Sequence, residues 1–163
     1  MKLTLPPPSE TQKRFFAERH RCVAFGGARG GGKSWAVRVK AVLLCERHPG
    51  IKVMIVRRTY GELRANHIVP LCALLRCGAE KEERLADYND TKKEISFPNG
   101  SVLLFRYCAH ARDADRFQGT EVDVLFVDEA TPASSPPWRA GASPPWRATA
   151  PTWWRGASTP RRR

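Results

Sequence analysis

Residues 27–34 read GARGGGKS and fit the spacing G-x4-G-K-[ST]. Phosphate oxygens are bound by several backbone N–H groups that converge from one side, and consecutive glycines leave that approach open. Lys33 is then expected to reach the β- and γ-phosphates, and the Ser34 hydroxyl to ligate Mg²⁺. The alternative is a flexible glycine turn that happens to precede Lys-Ser. The pattern favours a site for ATP and Mg²⁺, with the nucleotide bound by Gly27, Ala28, Gly30, Gly31, Gly32, Lys33 and Ser34.

An acidic pair follows four apolar residues in the run VLFVDE at positions 124–129. A buried strand would place Asp128 at its carboxyl end, which lies beside the phosphate loop in a parallel sheet of this kind. We expect Asp128 to hold Mg²⁺ together with Ser34, directly or through water. We expect Glu129 to orient and deprotonate the attacking water, because γ-phosphoryl transfer depends mostly on positioning and charge stabilisation. A strand-ending acidic turn is the alternative, and pairing with the glycine loop argues against it.

Four further polar residues each admit two interpretations. Arg29, inside the glycine loop, either stabilises the charge of the transition state as a catalytic arginine or points to solvent or a neighbouring subunit. Gln12 either selects adenine through its amide or completes a capping box with Ser9. Arg57 and Arg58 follow a predicted strand, where they either contact nucleotide or DNA or form a solvated strand end.

The elements that must position these residues alternate between helix and strand, as in an α/β protein. We predict helices from Ser9 to Arg19, Lys33 to Arg47 and Tyr60 to Leu75, the last interrupted by Pro70, and strands from Cys22 to Gly26, Ile51 to Arg57 and Glu121 to Val127. Lys93–Phe97 and Val102–Arg106 are predicted to form a hairpin around the Asn-Gly turn. The strand from Cys22 to Gly26 is expected to be short and buried, and to lead into the glycine loop.

The charge and the cysteines constrain the class of protein. A net charge of +12 usually indicates a polyanionic partner, but half of it comes from six arginines in residues 132–163, so DNA binding inferred from charge alone is weak. The five cysteines are odd in number and lack CxxC spacing, which favours reduced thiols packed as small hydrophobes in a cytoplasmic protein. No apolar run is long enough for a membrane span, and no signal peptide is expected.

The composition changes abruptly after Thr131. Residues 132–163 contain no acidic residue and no aliphatic side chain larger than alanine, and SPPWRA occurs in them twice. Such a segment cannot pattern a helix or strand onto a core. We therefore predict an ATPase domain over residues 1–131 and a Pro/Trp/Arg-rich tail over 132–163. The tail is an interaction segment, an inert flexible end, or the product of a frameshift, which the abrupt break favours.

Together these residues resemble the ATPase domain of large terminase subunits, the motors that package DNA in tailed phages. The likeness rests on Gln12 upstream of GGARGGGKS, on Arg57-Arg58-Thr59-Tyr60, on Pro98-Asn99-Gly100-Ser101, and on Arg116-Phe117-Gln118-Gly119 leading into VDVLFVDEAT. The resemblance implies a P-loop NTPase sheet of the additional-strand, catalytic-glutamate type. It makes Glu129 that glutamate, Lys33 and Ser34 the phosphate and Mg²⁺ ligands, and Arg29 a cis-acting arginine.

The resemblance also implies partners: double-stranded DNA, a small terminase subunit, a portal and procapsid, and further copies in a ring, all in the cytoplasm of a bacterial host and away from membranes. The coupling motif and the nuclease domain of such proteins are not found after residue 131. We therefore expect no nuclease activity, and a sheet incomplete at its C-terminal end with the Asp128 strand at its edge. The rival interpretations are a helicase-like ATPase and a non-catalytic remnant, and ATP turnover by this chain is left open.

Overall fold

The computed structural model describes residues 5–27, 30–109, 113 and 120–129. Its helices are α1 (Glu10–Ala17), α2 (Lys33–Arg47), α3 (Tyr60–Leu63) and α4 (Val69–Leu74), with a π-helical turn at Arg64–Ile68 between the last two. Its strands are β1 (Lys52–Arg57), β2 (Asp87–Asn89), β3 (Glu94–Ser96), β4 (Val102–Tyr107) and β5 (Val124–Val127). Within those residues no helix is both long and apolar enough to span a bilayer. The predicted segments Arg116–Gly119 and 132–163 lie outside the described residues.

The five strands form one mixed sheet in the order β2-β3-β4-β1-β5. Strand β1 lies between β4 and β5 and is parallel to both, while β3 lies between β2 and β4 and is antiparallel to both. All residues of β1 after Lys52 are buried, as expected for a parallel strand with neighbours on both sides. Val56 pairs with Val127, so Arg57 and Asp128 emerge side by side at the same end of the sheet. Among the described residues, β2 and β5 are the edge strands.

Helix α2 packs its apolar stripe on one face of this sheet. Ala36, Ala41, Val42 and Cys45 are fully or almost fully buried in the main hydrophobic core. The predicted bounds of this helix, Lys33 to Arg47, are confirmed. Burial raises the pKa of the Cys45 thiol to about 12, so this cysteine packs as a small hydrophobe. The helix therefore packs firmly on the sheet directly after the glycine loop.

The hairpin loop between β3 and β4 ties the far end of α2 to the sheet. Ser101 is fully buried and its hydroxyl lies 2.9 Å from the carbonyl oxygens of Cys45 and His48. Asn99 donates its amide to Cys45 O at 2.7 Å. Gly100 takes a φ of +84°, which only glycine adopts without strain. These bonds satisfy carbonyls that a helix end leaves without partners, and they confirm the predicted hairpin.

The predicted helix from Tyr60 to Leu75 is broken into three pieces. Pro70 has no N–H, so the carbonyl of Asn66, four residues earlier, loses the partner that a regular helix gives it. Arg38 of α2 donates its Nη1 to that carbonyl instead. The chain widens here into the π turn, in which the N–H of Val69 bonds to Arg64 O. This local widening is what carries His67 to the end of the sheet.

The predicted buried strand from Cys22 to Gly26 is wrong. The segment forms no strand, Cys22 is exposed, and the Val23 side chain is 43% exposed. No described strand pairs with it. Phe25 packs against the core, stacked on Phe15 of α1 with ring centroids 4.4 Å apart. The glycine loop is therefore approached by an irregular, exposed segment.

Candidate nucleotide-binding site

The glycine loop leads directly into the N-terminus of α2. Gly32 caps the helix with a φ of +69°, which favours glycine, and a Cβ there would lie 2.6 Å from Gln12 Nε2, so the Gln12 amide would have to move. Lys33 donates from Nζ to Gly27 O at 2.9 Å, across the loop. Backbone N–H groups at a helix N-terminus with a lysine beside them form an anion-binding arrangement. Ala28 and Arg29 lie outside the described residues, so their predicted roles stay predictions.

Gln12 makes both a cap and a contact with the loop. Its Oε1 accepts from Ser9 N at 2.9 Å, and its Nε2 lies 3.4 Å from Gly32 O as a donor. Ser9 Oγ in turn accepts from Gln12 N, which completes the capping box that the sequence predicted. The amide is thus used twice without a nucleotide, and contact with adenine would require it to exchange one of these partners.

Asp128, at the end of β5, accepts three hydrogen bonds on one oxygen. Ser34 Oγ, Arg57 Nη1 and His67 Nε2 lie 2.8, 2.7 and 2.8 Å from its Oδ2. The contact with Ser34 joins residues 94 positions apart and connects the start of α2 to the end of β5. A hydroxyl and a carboxylate side by side are the oxygen ligands that Mg²⁺ accepts, so the residues present fit this ion.

The same contacts lower the pKa of Asp128, whereas the pKa of His67 is lowered by its burial. Burial by itself raises the pKa of Asp128. Hydrogen bonds from His67 and Ser34 and the charge of Arg57 outweigh that effect and lower the pKa to about 2. Burial lowers the pKa of His67, whose side chain is fully enclosed. Neutral His67 therefore donates from Nε2 to the carboxylate, while its buried Nδ1 has no hydrogen-bond partner among the described residues.

Arg57 connects the two acidic residues. Its Nη1 donates to Asp128 and its Nη2 lies 2.7 Å from Glu129 Oε1, while Nε is 3.8 Å from Glu62. The side chain of Arg57 is only 6% exposed, so the interpretation as a solvated strand end is wrong for this residue. Arg58 is exposed, as a solvated strand end is. Two adjacent arginines thus have opposite environments.

Comparison with protein families gives one match, over residues 24–136, to a family model described as terminase large subunit, T4likevirus-type, N-terminal. The matched region covers more than half of the chain and includes both the glycine loop and the acidic pair. The chain belongs to this family. Comparison with curated proteins and with solved structures gave no significant match. The predicted resemblance to the N-terminal region of a phage large terminase subunit is therefore confirmed.

In this terminase region the structure brings together most of the residues that the sequence indicated. Ser34 and Asp128 are in contact, Lys33 precedes Ser34 in the same turn, and Glu129 follows Asp128. His67 was missed as a site residue, because it lies within the predicted helix from Tyr60 to Leu75 and belongs to neither nucleotide motif. One feature of the sequence could have indicated His67: its predicted helix begins shortly after the Arg57 end of β1. A helix in that place starts beside the site.

Proposed function

We propose that this terminase region binds Mg-ATP at the glycine loop and hydrolyses it to ADP and phosphate, as the ATPase of a viral DNA-packaging motor. The observation that supports this most directly is the 2.8 Å contact between Ser34 Oγ and Asp128 Oδ2. It joins the end of the glycine loop to the acidic end of a parallel strand, and that pairing is what a Mg²⁺-dependent phosphate site needs.

The side chains present divide the work of phosphoryl transfer between them. Lys33 would exchange its contact with Gly27 O for the β- and γ-phosphate oxygens, and Ser34 and Asp128 would hold Mg²⁺. When bound, Mg²⁺ neutralises charge on those oxygens. Glu129 accepts a proton from a water whose oxygen attacks the γ-phosphorus, while the bond to the ADP oxygen breaks. Arg29 is assigned to the γ-phosphate as a cis-acting arginine.

Membership of the terminase family supports the partners and the setting that we propose. The motor acts on double-stranded DNA, with a small subunit, a portal and procapsid, and further copies of itself in a ring. It works in the cytoplasm of the infected bacterium. Because the family model covers the region of both nucleotide motifs, a helicase-like ATPase loses its support as an alternative.

Thermal melts with and without Mg-ATP test the binding step. A ligand that binds only the folded state raises the melting midpoint, by about 2.7 kcal/mol of stability at 100 times its Kd. Lys33→Ala is expected to abolish this stabilisation, whereas Lys81→Ala, which removes an exposed lysine, keeps it. A melting midpoint of the unmodified protein that does not respond to Mg-ATP would favour the non-catalytic remnant.

Single-turnover hydrolysis of ATP tests the chemical step. Glu129→Gln is expected to bind Mg-ATP as the unmodified protein does and to hydrolyse it about 10²- to 10⁴-fold more slowly, because an amide cannot accept the proton. Hydrolysis by Glu129→Gln at the unmodified rate would show that another group is the base.

A further inference from the structure

The side chain of Arg57 is placed to act on both carboxylates of the site at once. Its two terminal nitrogens each lie 2.7 Å from a carboxylate oxygen, one of Asp128 and one of Glu129. A guanidinium is planar and holds its donors in a fixed fork, so two bonds from one group fix the relative position of their acceptors. Arg57 therefore determines where the Glu129 carboxylate lies relative to Asp128.

The backbone holds this fork rigidly from the side of the sheet. Arg57 is the last residue of β1, and its carbonyl accepts from Cys108 N at 2.9 Å. Glu129, by contrast, follows the end of β5, is 48% exposed and takes a φ of +61°, which is uncommon for a residue with a side chain. Arg57 is thus the well-packed member of the pair, and the Glu129 side chain is the one whose position its partner can fix.

Stability alone does not account for this arrangement. Nε of Arg57 is buried with no hydrogen-bond partner among the described residues, and an unpaired buried donor costs free energy. Neutralisation of Asp128 does not require the second bond, from Arg57 to the exposed carboxylate of Glu129, and an exposed ion pair of this kind adds little stability. The geometry favours a role in orienting Glu129.

We propose that Arg57 is a positioning residue for hydrolysis: it fixes Oε1 of Glu129, so that Oε2 faces the water to be deprotonated. This rests on the proposed ATPase function and on Glu129 as its base. A base that is itself oriented by a third group is a recurrent device in enzymes. The competing role, neutralisation of Asp128 alone, needs only a charge at one oxygen and makes a different prediction for lysine.

Arg57→Lys separates the two roles. An ammonium keeps the charge beside Asp128 but does not span both carboxylates. We expect kcat to fall about 10²-fold, as for a misplaced catalytic group, with KM for ATP changed less than about threefold. Arg58→Lys is the matched control, since Arg58 is the exposed neighbour, and its kcat is expected to equal that of the unmodified protein. A kcat of Arg57→Lys within about twofold of that value overturns the proposal.

The double variant shows whether Arg57 acts through Glu129. In the Glu129→Gln background, Arg57→Lys is expected to cause no further loss in the single-turnover rate, because the group that it orients has been removed. A further loss by the same factor would place its action elsewhere and reject the proposal. Thermal melts check that each variant is folded. If Arg57→Lys unfolds, Arg57→Gln, which also fails to reach Glu129, takes its place in this double-variant comparison, where dependence on Glu129 still tests the proposal.

The two proposals fail in different ways. If the unmodified protein hydrolyses no ATP, or if Glu129→Gln hydrolyses it normally, the proposed function or its base is rejected without any Arg57 variant. If Glu129→Gln is slow and Arg57→Lys is fast, the ATPase function stands and the role of Arg57 is rejected.

Discussion

The two halves of the candidate site differ in how they are held. On the loop side, the segment before α2 is exposed and irregular, and the Lys33 amino group makes an exposed bond to Gly27 O. On the sheet side, the exposed fractions of Asp128, Arg57 and His67 are 8%, 6% and 0%, and all three are bonded together. The sheet side is thus held by buried contacts between its own side chains, whereas the described contact of Lys33 on the loop side is exposed.

The difference follows from topology. The sheet side lies at the ends of β1 and β5. The register of these two strands places Arg57 beside Asp128. The loop side depends on residues 22–27, which no described strand pairs. A buried charged cluster contributes to folding through its mutual bonds, and an exposed loop contributes mainly to ligand binding. Mutations on the sheet side should therefore mainly lower the stability of the free protein, whereas mutations on the loop side should mainly weaken the binding of Mg-ATP.

Removal of Asp128 should have the largest effect on stability. Asp128→Ala leaves Arg57 and His67 buried beside an apolar methyl group, and breaking a buried pair costs about 3–5 kcal/mol. Urea unfolding measures the loss. Asp87→Ala, which removes an exposed carboxylate paired with Arg84, is the control and should change stability by less than about 1 kcal/mol. A loss below about 1 kcal/mol for Asp128→Ala would show that the sheet side is not stabilised as a unit.

Acid should weaken the sheet side next. The folded-state pKa of Asp128 is about 2, below the ordinary value of 3.8, so ionised Asp128 contributes stability above pH 4 that is lost as the pH falls through 2. The shift corresponds to about 2 kcal/mol. Urea unfolding between pH 6 and pH 2 measures it as the difference between the unmodified protein and Asp128→Asn. Identical pH dependence in both proteins would remove Asp128 as the source.

Gln12 joins α1 to the loop side, and its two bonds can be separated. Gln12→Ala loses the capping box and the contact with Gly32 O, and should cost about 1 kcal/mol. Gln12→Glu keeps an acceptor for Ser9 N but cannot donate to Gly32 O. Thermal melts should therefore show a smaller loss for Gln12→Glu, while the Mg-ATP affinities of both variants decrease. Equal melting losses in the two variants would mean that the cap contributes nothing.

The sequence predicted the elements with strong local signals and missed what depends on neighbours. The bounds of α2 follow from the glycine loop before it and the His-Pro-Gly stop after it, both of which are local. The segment from Cys22 to Gly26 has the composition of a strand, but strand formation requires a partner, and no described strand provides one. Composition therefore could not decide its structure.

The candidate site divides in the same way. Lys33, Ser34 and Asp128 could be proposed from the sequence because their motifs specify both residue type and context, and the structure places Ser34 against Asp128. The environments of Arg57 and Arg58 could not be separated from sequence, because the difference is which of two adjacent residues lies in register with Asp128. His67 depended on the π turn before Pro70, a deviation from helical spacing that periodicity does not reveal.

The smallest effect on stability is expected for Lys33, the most informative residue of the loop side. Its amino group makes an exposed bond to a backbone carbonyl, so Lys33→Met without nucleotide should change stability by less than about 0.5 kcal/mol in urea unfolding. The same variant should lose the stabilisation by Mg-ATP, because the lysine that it lacks is proposed to bind the nucleotide. Asp128→Ala should show the reverse order, with a large loss before any nucleotide is added. If Lys33→Met destabilised the free protein as much as Asp128→Ala does, both halves would be formed by the fold, and the contrast between them would not hold.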